Sequence, residues 1–315
     1  MPNTTSKIPS AESKAYIITG PTSGIGRRTA LEVAKHGTVV LVGRDCGKLD
    51  TLQQEIQQKG GNAVSVVCDL SDISSVRRAA TEIVSLNLAV AGLVNNAGIM
   101  QTHPTKNARG WDMSYATNHL GPFVLTEALM PRLRDGTNVV FVVSAVEDPE
   151  RKLAVSAGFR GARYISAEAS ARGDWEPGGS AKPGFDAYAT SKQAILAAAL
   201  VFARENPRLH INAIEPGFNP STGLGAGDAK PFVRFMQRFI VPLIVPLLMP
   251  FIKILSTSKR AAREITKILM DTSGRTGAYY DEGGHPMQGS VLIREQKFQD
   301  RVVAETRAFL AEHSG

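Results

Sequence analysis

The stretch TGPTSGIG, residues 19–26, follows the short apolar run AYIIT at 15–19 and opens a helical pattern. Its glycines permit a tight turn, a close approach of backbone to a ligand, and close packing of helix on strand. The first N–H groups of such a helix lack partners and carry the positive end of its dipole, which suits a pyrophosphate. A glycine-rich turn without a ligand is the alternative, but the strand-turn-helix context favours dinucleotide binding.

Short apolar runs alternate with amphipathic helical patterns over the first two thirds of the chain. The predicted strands are 15–19, 38–42, 62–67, 89–95, 138–143 and 209–214, and the predicted helices are 24–36, 46–59, 71–86, 111–134 and 186–205. Nearly continuous apolar strands indicate a parallel sheet that is covered on both faces. The sequence therefore predicts an α/β fold, a doubly wound Rossmann-type parallel sheet with helices on both faces and its ligand site at the carboxyl ends of the strands.

Length and composition favour a single domain. The chain has 315 residues, of which 43% are hydrophobic and 21% charged, enough for one large core. We expect a flexible tail at 1–14 and one Rossmann-type domain at 15–315, with an insertion at 145–184. Two cysteines without a CxxC pair and six scattered histidines predict neither a disulfide nor a metal site, and they favour a cytoplasmic location.

The net charge of +7 is concentrated in one part of the chain. Residues 230–267 contain eight Lys or Arg and one acid, Glu264, so the rest of the sequence is balanced. A nucleic-acid-binding protein usually presents a basic face or a recognisable binding module. The charge distribution therefore argues against a nucleic-acid partner.

Three further motifs follow TGPTSGIG and identify a family that the chain resembles. They are NNAG at 95–98, YATSK at 188–192 and Pro216-Gly217. In this order and spacing the motifs are similar to those of the short-chain dehydrogenase/reductase family, on its single-domain branch, over residues 14 to about 225. The long stretch before YATSK, together with PGFNPSTGL and TGAYYDEGG, more loosely resembles the retinol dehydrogenase and protochlorophyllide reductase side of that family.

The resemblance implies a bound nicotinamide dinucleotide. The residues implied to contact it are Gly20, Thr22, Ser23, Gly24, Ile25, Gly26, Arg44, Asp69, Leu70, Asn95, Asn96, Ala97, Gly98, Tyr188, Lys192, Pro216, Gly217 and Ser221. Asp69 resembles the acid that contacts the adenine in the family. Its alternative role is to cap the helix predicted to begin at 71, for which Ser71 competes.

The end of the second predicted strand bears on the choice of dinucleotide. Gly43 stands where NAD-preferring relatives carry an acid, and Arg44 follows it. An arginine there can form charge-assisted contacts with a 2′-phosphate. NADP(H) is therefore favoured over NAD(H). The alternative is that Arg44 is a solvated surface residue, partly neutralised by Asp45.

Tyr188 and Lys192 are four residues apart in a predicted helix, so their side chains share a face. Lowering the pKa of a tyrosine from about 10 toward 7 requires roughly 4 kcal/mol of additional phenolate stabilisation. A neighbouring ammonium and an oxidised nicotinamide can supply it. The resemblance implies that Tyr188 is the general acid/base and that Lys192 also binds the nicotinamide ribose.

Two further residues complete the implied catalytic set. Ser144 ends the run NVVFVV, and the resemblance implies that it holds the substrate oxygen. Asn118 resembles the helix-borne asparagine that anchors a water in a proton relay, with a helix-kink residue bonded to its own backbone as a compatible alternative. The implied reaction is hydride transfer between NADP(H) and a carbonyl or alcohol carbon. A non-catalytic dinucleotide sensor or scaffold and a C=C reductase are the alternative functions.

The run FIVPLIVPLLMPFI, residues 239–252, is apolar but interrupted by three prolines. It is shorter than the roughly 20 residues that a spanning helix needs, and the prolines disfavour one unbroken helix. Its place after Pro216-Gly217 predicts that 221–255 is a substrate lid, which indicates a lipophilic substrate. A lid that also touches a membrane surface through 230–255 is the alternative, because phenylalanines lie beside positive charge there. A C-terminal helix is expected after 276–284. Association into a homo-oligomer is left open.

Overall fold

The fold is built on a seven-stranded parallel sheet, seen in a computed structural model that describes residues 14–218 and 256–313. The strands are β1 (Lys14–Thr19), β2 (Thr38–Gly43), β3 (Ala63–Val67), β4 (Ala89–Asn95), β5 (Asn138–Val142), β6 (His210–Ile214) and β7 (Tyr279–Tyr280). Their order across the sheet is β3-β2-β1-β4-β5-β6-β7, with every pair parallel. The order reverses between β1 and β4, where a doubly wound sheet opens a ligand crevice. The predicted fold class is confirmed.

The helices cover both faces of this sheet. They are α1 (Gly24–Val33), α2 (Cys46–Gln58), α3 (Ile73–Ser85), α4 (Met113–Tyr115), α5 (Gly121–Leu129), α6 (Lys152–Ser156), α7 (Ala167–Arg172), α8 (Pro183–Glu205), α9 (Ser258–Leu269), α10 (Val291–Arg294) and α11 (Gln296–Glu312). One buried apolar cluster contains residues of α3, α5, α8 and α11, and the other contains residues of α1, α2 and α9. The sheet is therefore buried on both sides, which explains its nearly continuous apolar strands.

Several elements differ from the sequence-based expectation, and helix α1 also ends earlier than predicted, at Val33 instead of residue 36. The single helix predicted over 111–134 is broken: a π-helical turn at 116–120 separates α4 from α5, and a 3₁₀ turn follows at 130–132. Helix α3 begins two residues later than predicted because the Asp72 side chain accepts a hydrogen bond from the Ser74 N–H and caps it. Helix α8 begins earlier, at Pro183, a residue favoured at a helix start. Strand β7 was not predicted, since two residues are too few to show a period.

The N-terminal tail and the lid are not part of the described structure. Strand β1 already begins at Lys14, the last residue of the predicted tail. The predicted lid at 221–255, with FIVPLIVPLLMPFI and the proposed membrane-contact segment 230–255, lies outside the described residues, and so does Ser221. Within 14–218 and 256–313, no helix combines the length and the apolar character that crossing a bilayer requires.

Helix α11 packs along α8 and fastens several parts of the fold. Its buried apolar side chains are Phe298, Val302, Val303, Phe309 and Leu310. The Arg307 guanidinium bridges Glu127 on α5 (2.7 Å) and Glu205 on α8 (2.7 and 2.9 Å). On α11, Glu305 accepts hydrogen bonds from the Tyr164 hydroxyl (2.7 Å) and the Ala167 N–H (3.2 Å) of the 145–184 stretch. The expected C-terminal helix is therefore present and contacts both α8 and the 145–184 stretch.

The buried His119 makes the free energy of unfolding decrease as the pH falls. Its Nε2 lies 2.9 Å from the Thr306 hydroxyl, which itself donates to the Val302 carbonyl, so His119 Nε2–H is the donor. Burial lowers the pKa of His119 to about 3, against about 6.5 in an unfolded chain. Because the unfolded chain then binds more protons between these values, the contribution of His119 to stability is lost as pH falls from about 6.5.

We expect His119→Gln to flatten the pH dependence of the free energy of unfolding between pH 6.5 and 5, measured by urea denaturation, because glutamine cannot take up that proton. The exposed His103 provides the matched control, and His103→Gln should leave the slope unchanged. An unaltered slope in the His119 variant would contradict the assignment.

Candidate active site

The glycine-rich turn between β1 and α1 has the geometry of an anion cradle. Gly20 has a φ of +64° and Gly24 a φ of +53°, backbone conformations that favour glycine. A Cβ on Gly26 would clash with the Gly20 carbonyl and with Asn96 Nδ2. Ser23, the residue before α1, makes no capping hydrogen bond, so the helix N-terminus is suited to an anionic group. Thr22 lies in the same turn, and Ile25 lies in the first helical turn.

The NNAG motif closes the turn from the neighbouring strand. Asn96 Nδ2 donates to the carbonyls of Thr19 (2.9 Å) and Gly20 (3.2 Å). The Thr19 hydroxyl accepts from the N–H groups of Asn96 and Ala97, both at 3.0 Å. The buried Asn95 side chain points elsewhere, because its Nδ2 donates to the Thr126 hydroxyl on α5 at 2.9 Å. The side chain of Asn95 therefore positions α5, and only its backbone lies at the turn.

Arg44 lies at the end of β2 and is exposed. Asp45 next to it caps α2: its carboxylate accepts from the Lys48 N–H (3.1 Å) and pairs with Lys48 Nζ (2.8 Å). These contacts with Lys48 are the main reason that the pKa of Asp45 is lowered. The charge of Arg44 makes a smaller contribution to the same lowering, so Asp45 interacts mainly with Lys48 and to a lesser extent with Arg44.

Asp69 and the buried Leu70 follow β3 at the same edge of the sheet. Asp69 Oδ1 accepts from the Ser71 N–H (2.9 Å) and the Ser71 hydroxyl (2.7 Å). Neither Asp69 nor Ser71 caps α3, because the capping side chain is that of Asp72. The alternative reading of Asp69 as an N-cap is therefore wrong, and the carboxylate is oriented by a local turn beside the second and third strands.

The four predicted catalytic residues come from three elements that meet at the carboxyl edge of β5. Ser144 follows β5, Tyr188 and Lys192 lie on α8, and Asn118 lies in the π-helical turn. Lys192 Nζ donates to the Val142 carbonyl at 2.9 Å and lies 5.8 Å from the centre of the Tyr188 ring. A Cβ on Gly98 would lie 3.3 Å from Asn118 Oδ1 and 3.4 Å from Lys192 Nζ. Gly98 thus joins the nucleotide turn to the catalytic group.

Asn118 is held by the loop after β4 and not by its own helix. Its Oδ1 accepts from the Ile99 N–H (2.8 Å), and its Nδ2 donates to the Ile99 carbonyl (2.9 Å). The same Nδ2 donates to the Ser191 hydroxyl (3.0 Å), which in turn donates to the Tyr188 carbonyl (2.7 Å). The helix is deformed into a π turn here, a feature that is frequent at functional positions. The side-chain amide of Asn118, however, bonds to Ser191 and so holds α8 in place.

Burial is the largest cause of the pKa shifts of Tyr188 and Lys192. Burial raises the pKa of Tyr188, a hydrogen bond with Ser144 lowers it, and the charge of Glu215 raises it. Burial also lowers the pKa of Lys192 to about 8. The chain's own residues therefore favour the protonated phenol. These residues do not supply the positive charge of an oxidised nicotinamide, the second cause expected from the sequence to lower the pKa of Tyr188.

The motif after β6 contains Pro216 and Gly217, the latter with a φ of +79°. The preceding residue, Glu215, is buried and pairs with Arg151 at 3.4 Å. Burial raises the pKa of Glu215 to about 7, with the charges of Glu282 and Asp281 adding to the effect and Arg151 opposing it. Sequence reasoning missed Glu215, although a charge between an apolar strand and Pro-Gly was a visible signal.

The chain is similar to proteins of one known family. A family model described as short chain dehydrogenase matches residues 14–155, and Dehydrogenase/reductase SDR family member 12 of Bos taurus is 31% identical over 214 residues, covering 67% of this chain and 62% of its own length. The chain belongs to the short-chain dehydrogenase/reductase family. Retinol dehydrogenase 11 of Homo sapiens is 38% identical over 125 residues, covering 39% of each chain. The match thus spans about two fifths of that retinol dehydrogenase.

Solved structures share the fold of this short-chain dehydrogenase/reductase. An uncharacterized protein from Mycobacterium paratuberculosis superposes with a TM-score of 0.66 at 24% identity, covering 96% of this chain and 95% of that one. A short chain dehydrogenase from Burkholderia cenocepacia in complex with NADP superposes with a TM-score of 0.62 at 19% identity, covering 86% of this chain and 96% of that one. At these identities the likeness concerns the fold.

An apolar wall lies beside Tyr188 in this family member. Phe159 and Phe185 stack with ring centres 4.3 Å apart and planes 11° apart, and Phe159 lies 6.3 Å from the Tyr188 ring. Met100 and Val146 pack against the same cluster. Phe159 belongs to the 145–184 stretch, which therefore contributes part of the wall next to Tyr188.

Proposed function

We propose that the protein is an NADP(H)-dependent oxidoreductase that transfers a hydride between the nicotinamide and a carbonyl or alcohol carbon of a lipophilic substrate. The observation that carries this proposal is the convergence of Ser144, Tyr188 and Lys192 at the carboxyl edge of β5, next to the glycine-rich turn. Family membership is consistent with it. The residues of this site fit a dinucleotide, since the turn provides an uncapped helix N-terminus and a glycine, Gly26, where a Cβ would clash.

In this proposal each catalytic side chain has a defined role. A bound NADPH supplies the hydride. The Ser144 hydroxyl donates a hydrogen bond to the substrate oxygen, and the Tyr188 hydroxyl delivers the proton to that oxygen as negative charge develops. Lys192, held on the Val142 carbonyl, binds the ribose and stabilises the phenolate that remains. Asn118 fixes the Lys192 helix through Ser191, so the proton donor is oriented before the substrate arrives.

The preference for NADP(H) rests on Arg44. We expect Arg44→Ala to raise the dissociation constant of NADPH about 10- to 100-fold, because a charge-assisted bond to the 2′-phosphate is lost, and to leave NADH binding unchanged. Fluorescence titration of both dinucleotides measures this difference. Arg134, exposed and before β5, gives the control variant Arg134→Ala. Equal losses for NADH and NADPH would contradict a 2′-phosphate contact.

The lipophilic substrate is supported by the Phe159 and Phe185 wall beside Tyr188. NADPH oxidation with a graded panel of aldehydes and ketones tests the whole proposal, and kcat/KM should rise with apolar size because each buried CH₂ contributes about 0.8 kcal/mol. Product analysis separates the alternatives. Reduction of the C=C bond of an enone with the carbonyl left intact would indicate a C=C reductase. NADPH binding without turnover of any compound would indicate a sensor or scaffold.

A further inference from the structure

Glu147 is a buried carboxylate in the turn that carries Ser144. It closes the 3₁₀ turn at 145–147 and its side chain is 0% exposed. Its N–H lies 3.4 Å from the Ser144 carbonyl, and its own carbonyl accepts from the Ala162 N–H at 2.9 Å. The backbone of Glu147 therefore joins the end of β5 to the stretch that contributes the apolar wall.

The carboxylate of Glu147 joins two further segments. Its Oε1 accepts from the Ser290 N–H at 2.9 Å, and its Oε2 lies 3.4 Å from Gln193 Nε2. The Gln193 amide also reaches the Ser290 hydroxyl at 3.4 Å. Gly289 leaves the room for this approach, because a Cβ there would lie 3.0 Å from Glu147 Oε1. Gln193 directly follows Lys192, so the contact is made next to the catalytic lysine on α8.

A buried carboxylate is a costly way to stabilise a core. Burial raises the pKa of Glu147, and the hydrogen bonds of Ser290 oppose this. Among the described residues no Lys or Arg forms an ion pair with Glu147. The neighbouring Arg151 pairs with Glu215 instead. An apolar side chain of similar volume commonly gives equal or greater stability at such a position. A benefit other than stability is therefore needed to explain the carboxylate.

That benefit is geometric. The Ser144 hydroxyl and the Tyr188 hydroxyl have to meet one substrate oxygen, yet they belong to different elements, the end of β5 and α8. Cross-links between these elements fix the relative position of the two hydroxyls: Lys192 joins α8 to β5 at the Val142 carbonyl, and Glu147 joins α8 to the turn that carries Ser144. We propose that Glu147 is a positioning residue, which fastens the Ser144 turn to α8 through Gln193 and to the 289–291 segment through Ser290. The inference rests on the oxidoreductase function proposed above.

The test compares Glu147→Ala with Glu147→Gln in the full chain. The alanine variant removes the cross-link, and we expect kcat to fall about 10- to 100-fold, since small misplacements of reacting groups have such effects. The KM for the carbonyl substrate and the dissociation constant of NADPH should stay within about twofold. The glutamine variant keeps an acceptor for Ser290 and should restore kcat to within about threefold of the unmodified protein. Gln193→Ala, which cuts the other end of the cross-link, should lower kcat in the same way if Glu147→Ala does not fold.

Thr306→Ala is the control for a merely structural effect, because it removes a buried hydrogen bond between α11 and His119 that involves neither Glu147 nor Gln193. It should lower the melting temperature and leave kcat unchanged. The inference is overturned if Glu147→Ala or Gln193→Ala keeps kcat, if Glu147→Gln is as impaired as alanine, or if Thr306→Ala lowers kcat equally. Absence of turnover in the unmodified protein would instead refute the proposed function.

Discussion

Replacing Tyr188 with phenylalanine is expected to lower kcat/KM for carbonyl reduction about 1,000-fold, while NADPH binding stays within about twofold. In the proposed mechanism the Tyr188 phenol delivers the proton to the substrate oxygen, whereas Ser144 only donates a hydrogen bond to it, and phenylalanine has no proton to deliver. Steady-state kinetics with NADPH and the best carbonyl substrate measure the loss, and fluorescence titration measures the binding. The ring itself belongs to a buried apolar cluster and lies 6.3 Å from the Phe159 ring, so the fold should be unaffected.

A second buried tyrosine provides the matched control. Tyr279 lies on β7, and its hydroxyl has no hydrogen-bond partner among the described residues. Tyr279→Phe removes the same atom without touching the proposed chemistry and should retain full activity. Activity above about a tenth of the original in Tyr188→Phe would show that another group delivers the proton.

Replacing Lys192 with methionine is expected to abolish turnover and, at the same time, to stabilise the cofactor-free protein. Activity should fall at least about 100-fold because the phenolate loses its cation. Burial lowers the pKa of Lys192 to about 8, so at pH 7 the folded protein bears the cost of a buried ammonium. Relieving that cost is worth about 3 kcal/mol, and the lost hydrogen bond to the Val142 carbonyl offsets about 1 kcal/mol.

Urea unfolding between pH 7 and 10.5 measures this second effect. In the unmodified protein the unfolded state binds more protons than the folded state between about pH 8 and 10.4, because a lysine in an unfolded chain titrates near 10.4. The contribution of Lys192 to the free energy of unfolding therefore rises with pH in that window. The methionine variant should lack this rise and be about 2 kcal/mol more stable at pH 7. Lys297→Met, at an exposed position on α11, is the control. A Lys192→Met protein that is less stable than the original at pH 7 would refute the argument.

The sequence was sufficient for the elements that carry a strong local signal. Six strands were predicted within one residue at each end, because each combines an apolar run with a clear boundary such as Gly20 or Asn95. The nucleotide turn was also recognisable, since its glycines are required by backbone conformation and close packing. The family assignment was confirmed, whereas the roles of the individual site residues remain proposals.

Other features depend on contacts between distant residues and gave no local signal. The π-helical turn at 116–120 is associated with the bond between Asn118 and Ile99 on another element. Strand β7 exists because Tyr279 and Tyr280 pair with β6, far away in the sequence. The partners of Glu147 and Glu215, Ser290 and Arg151, could not be found from spacing for the same reason. Periodicity reports which face of an element is buried but not what covers it.

The link between α11 and the active-site wall also has a consequence in time. Glu305 accepts hydrogen bonds from Tyr164 and Ala167. During translation, however, Glu305 is synthesised long after Tyr188 has left the ribosomal tunnel. At ordinary translation speeds the interval is on the order of 10 s. During that interval the apolar face of α8 that α11 later covers is open to solvent. We therefore expect the nascent chain to expose an apolar surface of α8 that α11 covers in the folded protein.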